Sequence, residues 1–440
     1  MNPISTRNIW RLTWPTIVVN ISHMLLAIGF LKIAGDISSD AVAAMTTGQR
    51  LYFILQSVFM GLCSGTTAMV GRYWGAGDLV NAGRFAAVSL ILVCLIALLI
   101  TWPMIPFRLF FIDLFELTPQ AREMSNDYLF WVAITAPVMA AMIVFNVMFR
   151  AIGDTKTPLW FGLTLITLSV TFSIPLAYGL MGLPALQISG IAIGQGLGIL
   201  VALIAFLFWW VKGKMRFSPT NPKPGFIENS KKLIAIGYPT SIEQTAGQFG
   251  LIIVLIFIST YGNTPYAAFG IGFAVMNLMV IVAYSFSMSS ATLVSQNLGA
   301  GDKAKAYNAG WNTMRTSVYM MLLAGITMSA LAHPIANFMI GDEDVVSYIV
   351  IYLYMLSLTL PFMAITFSLS GALHGAGETR FPMRVTTVSI IMTRILLPVT
   401  ATWLEANVIW LFASLPLDYL FKASLLIHRY RRRKWLSVLS

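Results

Sequence analysis

Apolar residues fill long runs along the whole chain, each closed by a short connection rich in Gly, Pro, Asp or basic residues. A helix rises about 1.5 Å per residue, so a run of about twenty crosses the roughly 30 Å of hydrocarbon in a bilayer. The pattern predicts helices over about 9–35, 40–71, 84–111, 120–151, 157–180, 185–212, 231–261, 264–297, 305–334, 345–375, 382–403 and 407–428. The expected fold is therefore an all-α membrane protein of twelve transmembrane helices. The longest polar stretch, Lys212 to Asn229, is too short for a soluble domain and reads as a linker.

The pattern also repeats. Gly75-Ala76-Gly77-Asp78 recurs as Gly299-Ala300-Gly301-Asp302, which sets a displacement from position 75 to position 299. The same displacement carries Pro15-Thr16 to Pro239-Thr240, Tyr128-Leu129 to Tyr352-Leu353, and Pro137 to Pro361. It also carries Gly153-Asp154-Thr155-Lys156-Thr157-Pro158 to Gly377-Glu378-Thr379-Arg380-Phe381-Pro382. Six spans per copy is an even number, so both copies insert the same way up, as parallel repeats. The expected lobes are 1–215 and 231–440, joined by a cytoplasmic linker at 216–230, around a central cleft that could open to either side in turn.

Composition narrows the class. Hydrophobic residues make up 58% of the chain and charged ones 10%, where a soluble domain carries roughly 25%. The net charge of +11 raises the question of nucleic acid. The basic residues, however, sit in alternate loops and in the tail His428 to Lys434, which is a positive-inside pattern and places both termini in the cytoplasm. No basic face of a folded domain remains for nucleic acid. Cys63 and Cys94 lie inside apolar runs, so neither a disulfide nor a metal site is implied. The first apolar run is too long for a cleavable signal.

These residues resemble the multidrug and toxic compound extrusion (MATE) family, over essentially the whole chain. The most specific pieces are Gly65 to Val70 running into Gly75-Ala76-Gly77-Asp78, Phe149 to Pro158, Ser370 to Gly377, and the closing Arg431 to Trp435. The resemblance implies export of small organic molecules in exchange for H⁺ or Na⁺. The short Gly-Asp loops have a structural reading beside it: Gly allows a sharp helix exit, and Asp caps the next helix.

Departures from the family bear on the site. The acid that relatives carry in the first span falls here on Phe30, and the fifth-span Asn and Asp fall on Ser169 and Ser173. A seventh-span acid kept by several branches falls on Gly247. The candidate cavity residues are those that remain polar in apolar spans, since a charge in lipid is costly and normally faces a cavity or a partner. Glu243, eleven residues past Lys232, sits about 17 Å along its helix and reads as the one deep carboxylate, able to carry a proton or meet a substrate charge. Arg394 lies at similar depth and is expected to face Glu243. Lys32 either snorkels to the headgroups or puts a positive charge at the cavity mouth. Asn20, His23, Ser169, Ser173 and Gln195 are expected to form a polar pocket in the N-terminal half, with Gln244, Gln248 and Asn277 on the C-terminal side. Asp418 reads as an intrahelical partner of Lys422.

The leading expectation is a monomeric secondary exporter in the inner membrane, coupled to H⁺ rather than Na⁺, with lipids around it and no cofactor. With the first- and fifth-span acids gone, its substrates are expected to shift toward neutral, zwitterionic or anionic amphiphiles. The second reading is a flippase for a lipid-linked saccharide, which would need more cations to meet a pyrophosphate. An intramembrane enzyme is disfavoured, because no metal-ligand spacing appears and no nucleophile stands beside a base. No phosphate-binding loop for ATP is present in the sequence.

Overall fold

In hydrocarbon every backbone N–H and C=O must find a partner within the chain, and a helix does this inside one segment. The computed structural model, which describes residues 6–438, accordingly holds long helices and, among those residues, no strand. The first half contains α1 (Thr6–Ile37), α2 (Ser39–Gly75), α3 (Leu79–Ile112), α4 (Pro119–Ala151), α5 (Lys156–Tyr178) and α6 (Gln187–Val211). The second half contains α7 (Phe226–Ser259), α8 (Asn263–Gly299), α9 (Lys303–Ala330), α10 (Ala332–Met339) and α11 (Glu343–Gly375). It ends with α12 (Arg380–Ile390), a π-helical turn (Ile391–Leu396), α13 (Leu397–Trp403) and α14 (Ile409–Arg431).

Eleven of the spans are long, apolar and continuous, with α12 to α13 counting as one; α9 and α10 together make the twelfth and meet at 67°. Pro334 accounts for that bend. It has no N–H to give Ala330, and its ring would collide with that carbonyl, so α9 stops there. Pro15, Pro137, Pro239 and Pro361 lie inside helices that continue past them.

The repeat holds helix for helix. α2 and α8 start at 39 and 263 and end at 75 and 299; α4 and α11 run 119–151 and 343–375. The starts of α3 and α9, at 79 and 303, and of α5 and α12, at 156 and 380, keep the same displacement. The displacement changes by two residues at the ends of α1 and α7, at 37 and 259, and again at the last span, where residues 404–408 replace the longer connection 179–186. Loop chemistry repeats as well. Gly77 and Gly301 both have φ +76° after their helices, and Gly153 and Gly377 have φ +81° and +83°. Asp78 and Asp302 then cap α3 and α9, accepting from the amides of Asn81 (3.0 Å) and Lys305 (2.8 Å). The Asn81 amide and side chain hold the Asp78 carboxyl below its ordinary pKa range. These loops have the structural role expected of them.

By packing, the chain divides into two units, one of residues 18–235 and one of residues 1–17 with 236–440. The division expected from the linker therefore differs at the starts of α1 and α7. Within the second unit, Thr13 Oγ1 lies 2.8 Å from Ser289 Oγ on α8, and Trp10 stacks on Phe286 at 6.2 Å. Within the first, the backbone of Leu233 on α7 runs so close to Gly65 on α2 that a Cβ there would lie 2.7 Å from its carbonyl oxygen.

Each unit has its own core. In the first, Phe30, Ala34, Ala44, Tyr128, Val132 and Ile191 are buried together. In the second, Phe269, Tyr352 and Phe412 form an aromatic cluster with centroids 5.4, 5.5 and 6.3 Å apart. Tyr128 and Tyr352 each lie over a glycine, Gly48 and Gly272, where any Cβ would strike the ring.

Gly77 tests the loop reading. Nothing lies within 4 Å of a Cβ built on it, so a side chain there costs backbone strain alone. Gly77→Val should lower stability by about 1–2 kcal/mol, and Gly77→Asn by clearly less, because Asn tolerates the left-handed region. Thermal melting in detergent reads this directly; equal losses for both variants would mean that crowding, not φ, makes glycine necessary.

Candidate functional site

The polar side chains that come together lie in the second unit, on α7, α11, α12, the π-helical turn and α14. Glu243 projects from the middle of α7. His374 Nε2, from the end of α11, lies 3.1 Å from its Oε2, and Thr386 Oγ1, from α12, donates to its Oε1 at 3.3 Å. The His374 and Glu243 side chains are 13% and 12% exposed, so the pair is sheltered yet reachable.

A second cluster stands beside it. Asp418, fully buried on α14, accepts from Arg394 Nη2 and Lys422 Nζ on the same oxygen, Oδ2, each at 2.9 Å. Ser389 donates to the other oxygen. Two cations therefore share one carboxylate. Glu243 acts electrostatically on Lys422, which links the clusters, so that two carboxyl groups stand with two cationic side chains, Arg394 and Lys422.

Two expectations are corrected here. Glu243 is not the lone deep carboxylate, because Asp418 is 0% exposed and sits well inside α14. Glu243 and Arg394 do not pair either; Arg394 goes to Asp418 and Glu243 to His374. Counting depth along α7 and α12 assumed that the two helices start level. They do not, since the Arg394 side chain lies against Gly250, two turns beyond Glu243, with its Cδ 3.0 Å from a Cβ built there. The π-helical turn that carries Arg394 also holds an extra residue, which alters the direction its side chain takes. The Asp418–Lys422 pair is present as expected, with Arg394 added.

The first unit answers differently. Ser169 and Ser173 are buried in the contact of α5 with α6, where Gly198 and Gly194 lie so close that a Cβ would meet them. Ser173 Oγ donates to the Ile191 carbonyl at 3.1 Å. The serines thus serve helix packing rather than the expected pocket; small residues are what let two backbones approach this closely. Asn20 and Gln195 are half-buried, while His23 and Lys32 are exposed. Arg150 acts electrostatically on His23. In the second unit Gln244 and Asn277 are half-buried and Gln248 is exposed.

His374, Thr386 and Ser389 were missed from sequence, but a signal for the first two was there. At the corresponding positions of the first copy stand Arg150 and Gly162, and Glu243 itself answers to Val19. In the first unit Val19 packs on Gly162, its Cγ1 3.1 Å from where a Cβ would sit. The same contact in the second unit is the Glu243–Thr386 hydrogen bond. Comparing the copies position by position therefore marks the site.

A duplicated, all-helical membrane protein with ionisable groups buried in the core of one copy has the architecture of a membrane transporter. The chain belongs to the MatE family, whose model matches residues 15–178 and 239–400, segments whose starts correspond under the internal repeat. It is 24% identical to the probable multidrug resistance protein NorM of Thermotoga maritima over 444 aligned residues, 98% of this chain and 94% of that protein. It is also 24% identical to the FAD transporter of Shewanella oneidensis over 323 residues, 73% of this chain and 71% of that one. Among solved structures it resembles a MOP superfamily transporter from Pyrococcus furiosus, described as having a binding pocket of reverse polarity. The TM-score is 0.88 at 17% identity, covering 97% of this chain and 95% of that one.

The shared carboxylate generates a stability prediction. Asp418→Asn leaves two buried cations without their anion and should cost about 3–5 kcal/mol. Lys422→Met should cost much less, because Arg394 still neutralises Asp418. Melting temperatures of the two variants in detergent decide it; equal losses would mean that the pairing carries no particular weight.

Proposed function

We propose that this protein is a proton-coupled exporter of small organic molecules, working by alternating access in the inner membrane with both termini in the cytoplasm. The observation that carries the reading is the setting of Glu243. It is a carboxylate in the middle of an apolar span, held by His374 and Thr386 and still partly open. A sodium ion wants several oxygen ligands and more than one negative charge to offset its dehydration. Glu243 offers one carboxylate beside a histidine, and the second acid, Asp418, is occupied by two cations. A proton needs a single acid and a neighbour that can share it.

Exchange then follows from competition. With Glu243 ionised, the site attracts a substrate's positive charge; with Glu243 protonated, that attraction is gone. Proton entry from outside would release the substrate, and proton loss inside would restore the site. Export of organic molecules agrees with the multidrug resistance role in the name of the Thermotoga maritima relative.

Glu243→Gln should abolish gradient-driven transport in proteoliposomes while leaving the melting temperature within a few degrees of the parent. His374→Gln should retain transport but move its pH profile, since the histidine touches the exchanging acid without being that acid. The assay imposes pH and sodium gradients in turn on vesicles loaded with an organic dye. Transport that follows sodium and ignores pH would refute the coupling.

A further inference from the structure

One face of α7 joins the two clusters. Glu243, Gly247 and Gly250 are spaced four and three residues apart, so they lie on one side of the helix. Glu243 marks one end with its acid, and the Arg394 side chain marks the other against Gly250. Between them a Cβ built on Gly247 meets nothing within 4 Å. The helix surface at Gly247, between the acid and the place where the Arg394 side chain packs, is therefore open.

Arg394 has capacity to spare. A guanidinium has five N–H donors, and among the described residues Asp418 is its only hydrogen-bond acceptor. Its side chain is 12% exposed, against 0% for Asp418. A permanent charge left partly bare in apolar surroundings is costly, so the open side of Arg394 suits a polar occupant. Charge counting says which kind. Arg394 and Lys422 stand against Asp418 and Glu243, and an organic cation resting on Glu243 cancels that acid and leaves one positive charge over. A ligand that also brings an anion restores the balance.

We propose that this face of α7 binds a zwitterionic organic molecule, its cationic group on Glu243 and its anionic group on Arg394, whose side chain packs on the helix at Gly250, about 10 Å of helical rise from Glu243. The inference rests on Glu243 as the exchanging acid and adds the substrate class to it. The groups around Glu243 are His374 from α11, Thr386 from α12 and Lys422 from α14. None of them supplies a second anion, so a dication has no second partner here. The bare helix surface at Gly247 leaves room for a hydrocarbon or aromatic spacer.

The test is calorimetric titration of the full-length protein in detergent with ω-aminoalkanoates from aminobutanoate to aminodecanoate, and with octylamine and octanoate as single-charge controls. Affinity should peak near aminooctanoate. The peak should exceed both controls by roughly tenfold or more, the worth of one charge-assisted hydrogen bond. Gly247→Leu, whose Cβ meets nothing within 4 Å, puts a bulky side chain on the open surface and should remove the peak while the protein still melts cooperatively. Arg394→Lys, which can keep a bond to Asp418, should weaken aminooctanoate and leave octylamine unchanged. Affinity that merely rises with chain length, or octylamine binding as tightly as the best amino acid, would overturn the inference. A clear length optimum in a protein whose transport ignores pH would uphold the binding face and remove only the coupling.

Discussion

A charge buried in hydrocarbon must be answered by another charge, and in this protein the answer is concentrated on Asp418. Its carboxylate takes Arg394 and Lys422 on one oxygen and Ser389 on the other, which joins α14 to the broken span from α12 to α13. Removing one partner from such a cluster leaves a desolvated charge, so the set is kept or lost as a unit. Two cations on one acid leave an excess. Glu243 meets it through Lys422, and that ties the Glu243–His374 pair to a scaffold that cannot easily change.

The division of labour between the halves follows from the same constraint. In the first unit, α5 and α6 approach closely through Gly194 and Gly198, and the serines facing them leave no ionisable group to satisfy. In the second unit the corresponding spans carry charges, and the π-helical turn adds a residue just where Arg394 must reach α14. Duplication supplied two copies of one helical plan. The copies now differ at corresponding positions: Val19 packs on Gly162 in the first, where Glu243 accepts from Thr386 in the second.

Exposure separates roles within the second unit. Asp418 has no exposed surface, and Lys422 has 7%, which suits groups that hold the fold. Glu243, His374 and Arg394 are each slightly open, and Gly247, one turn past Glu243 on α7, has open space beside it. Family membership alone would have directed attention to acids that this chain lacks. The geometry directs it to Glu243 on α7 and to Arg394, whose side chain packs against the same helix at Gly250.

The helical class, the spans, the duplication and the capped Gly-Asp loops were legible in the sequence. Each depends on local properties, namely apolar length, a repeated string, and the backbone freedom of Gly77 and Gly301. Glu243 was legible too, because a carboxylate in an apolar run stands out without any partner being known. Its partners were not. Whether Glu243 meets Arg394 or His374 depends on how far α7 is shifted along its axis relative to α12, and no residue within either helix encodes that offset by itself. Ser169 and Ser173 looked like pocket residues because sequence shows polarity but not the glycines of α6 that press against them. Only the tertiary structure decided which polar groups share a space, because helix offsets are set by side-chain packing between segments distant in the chain.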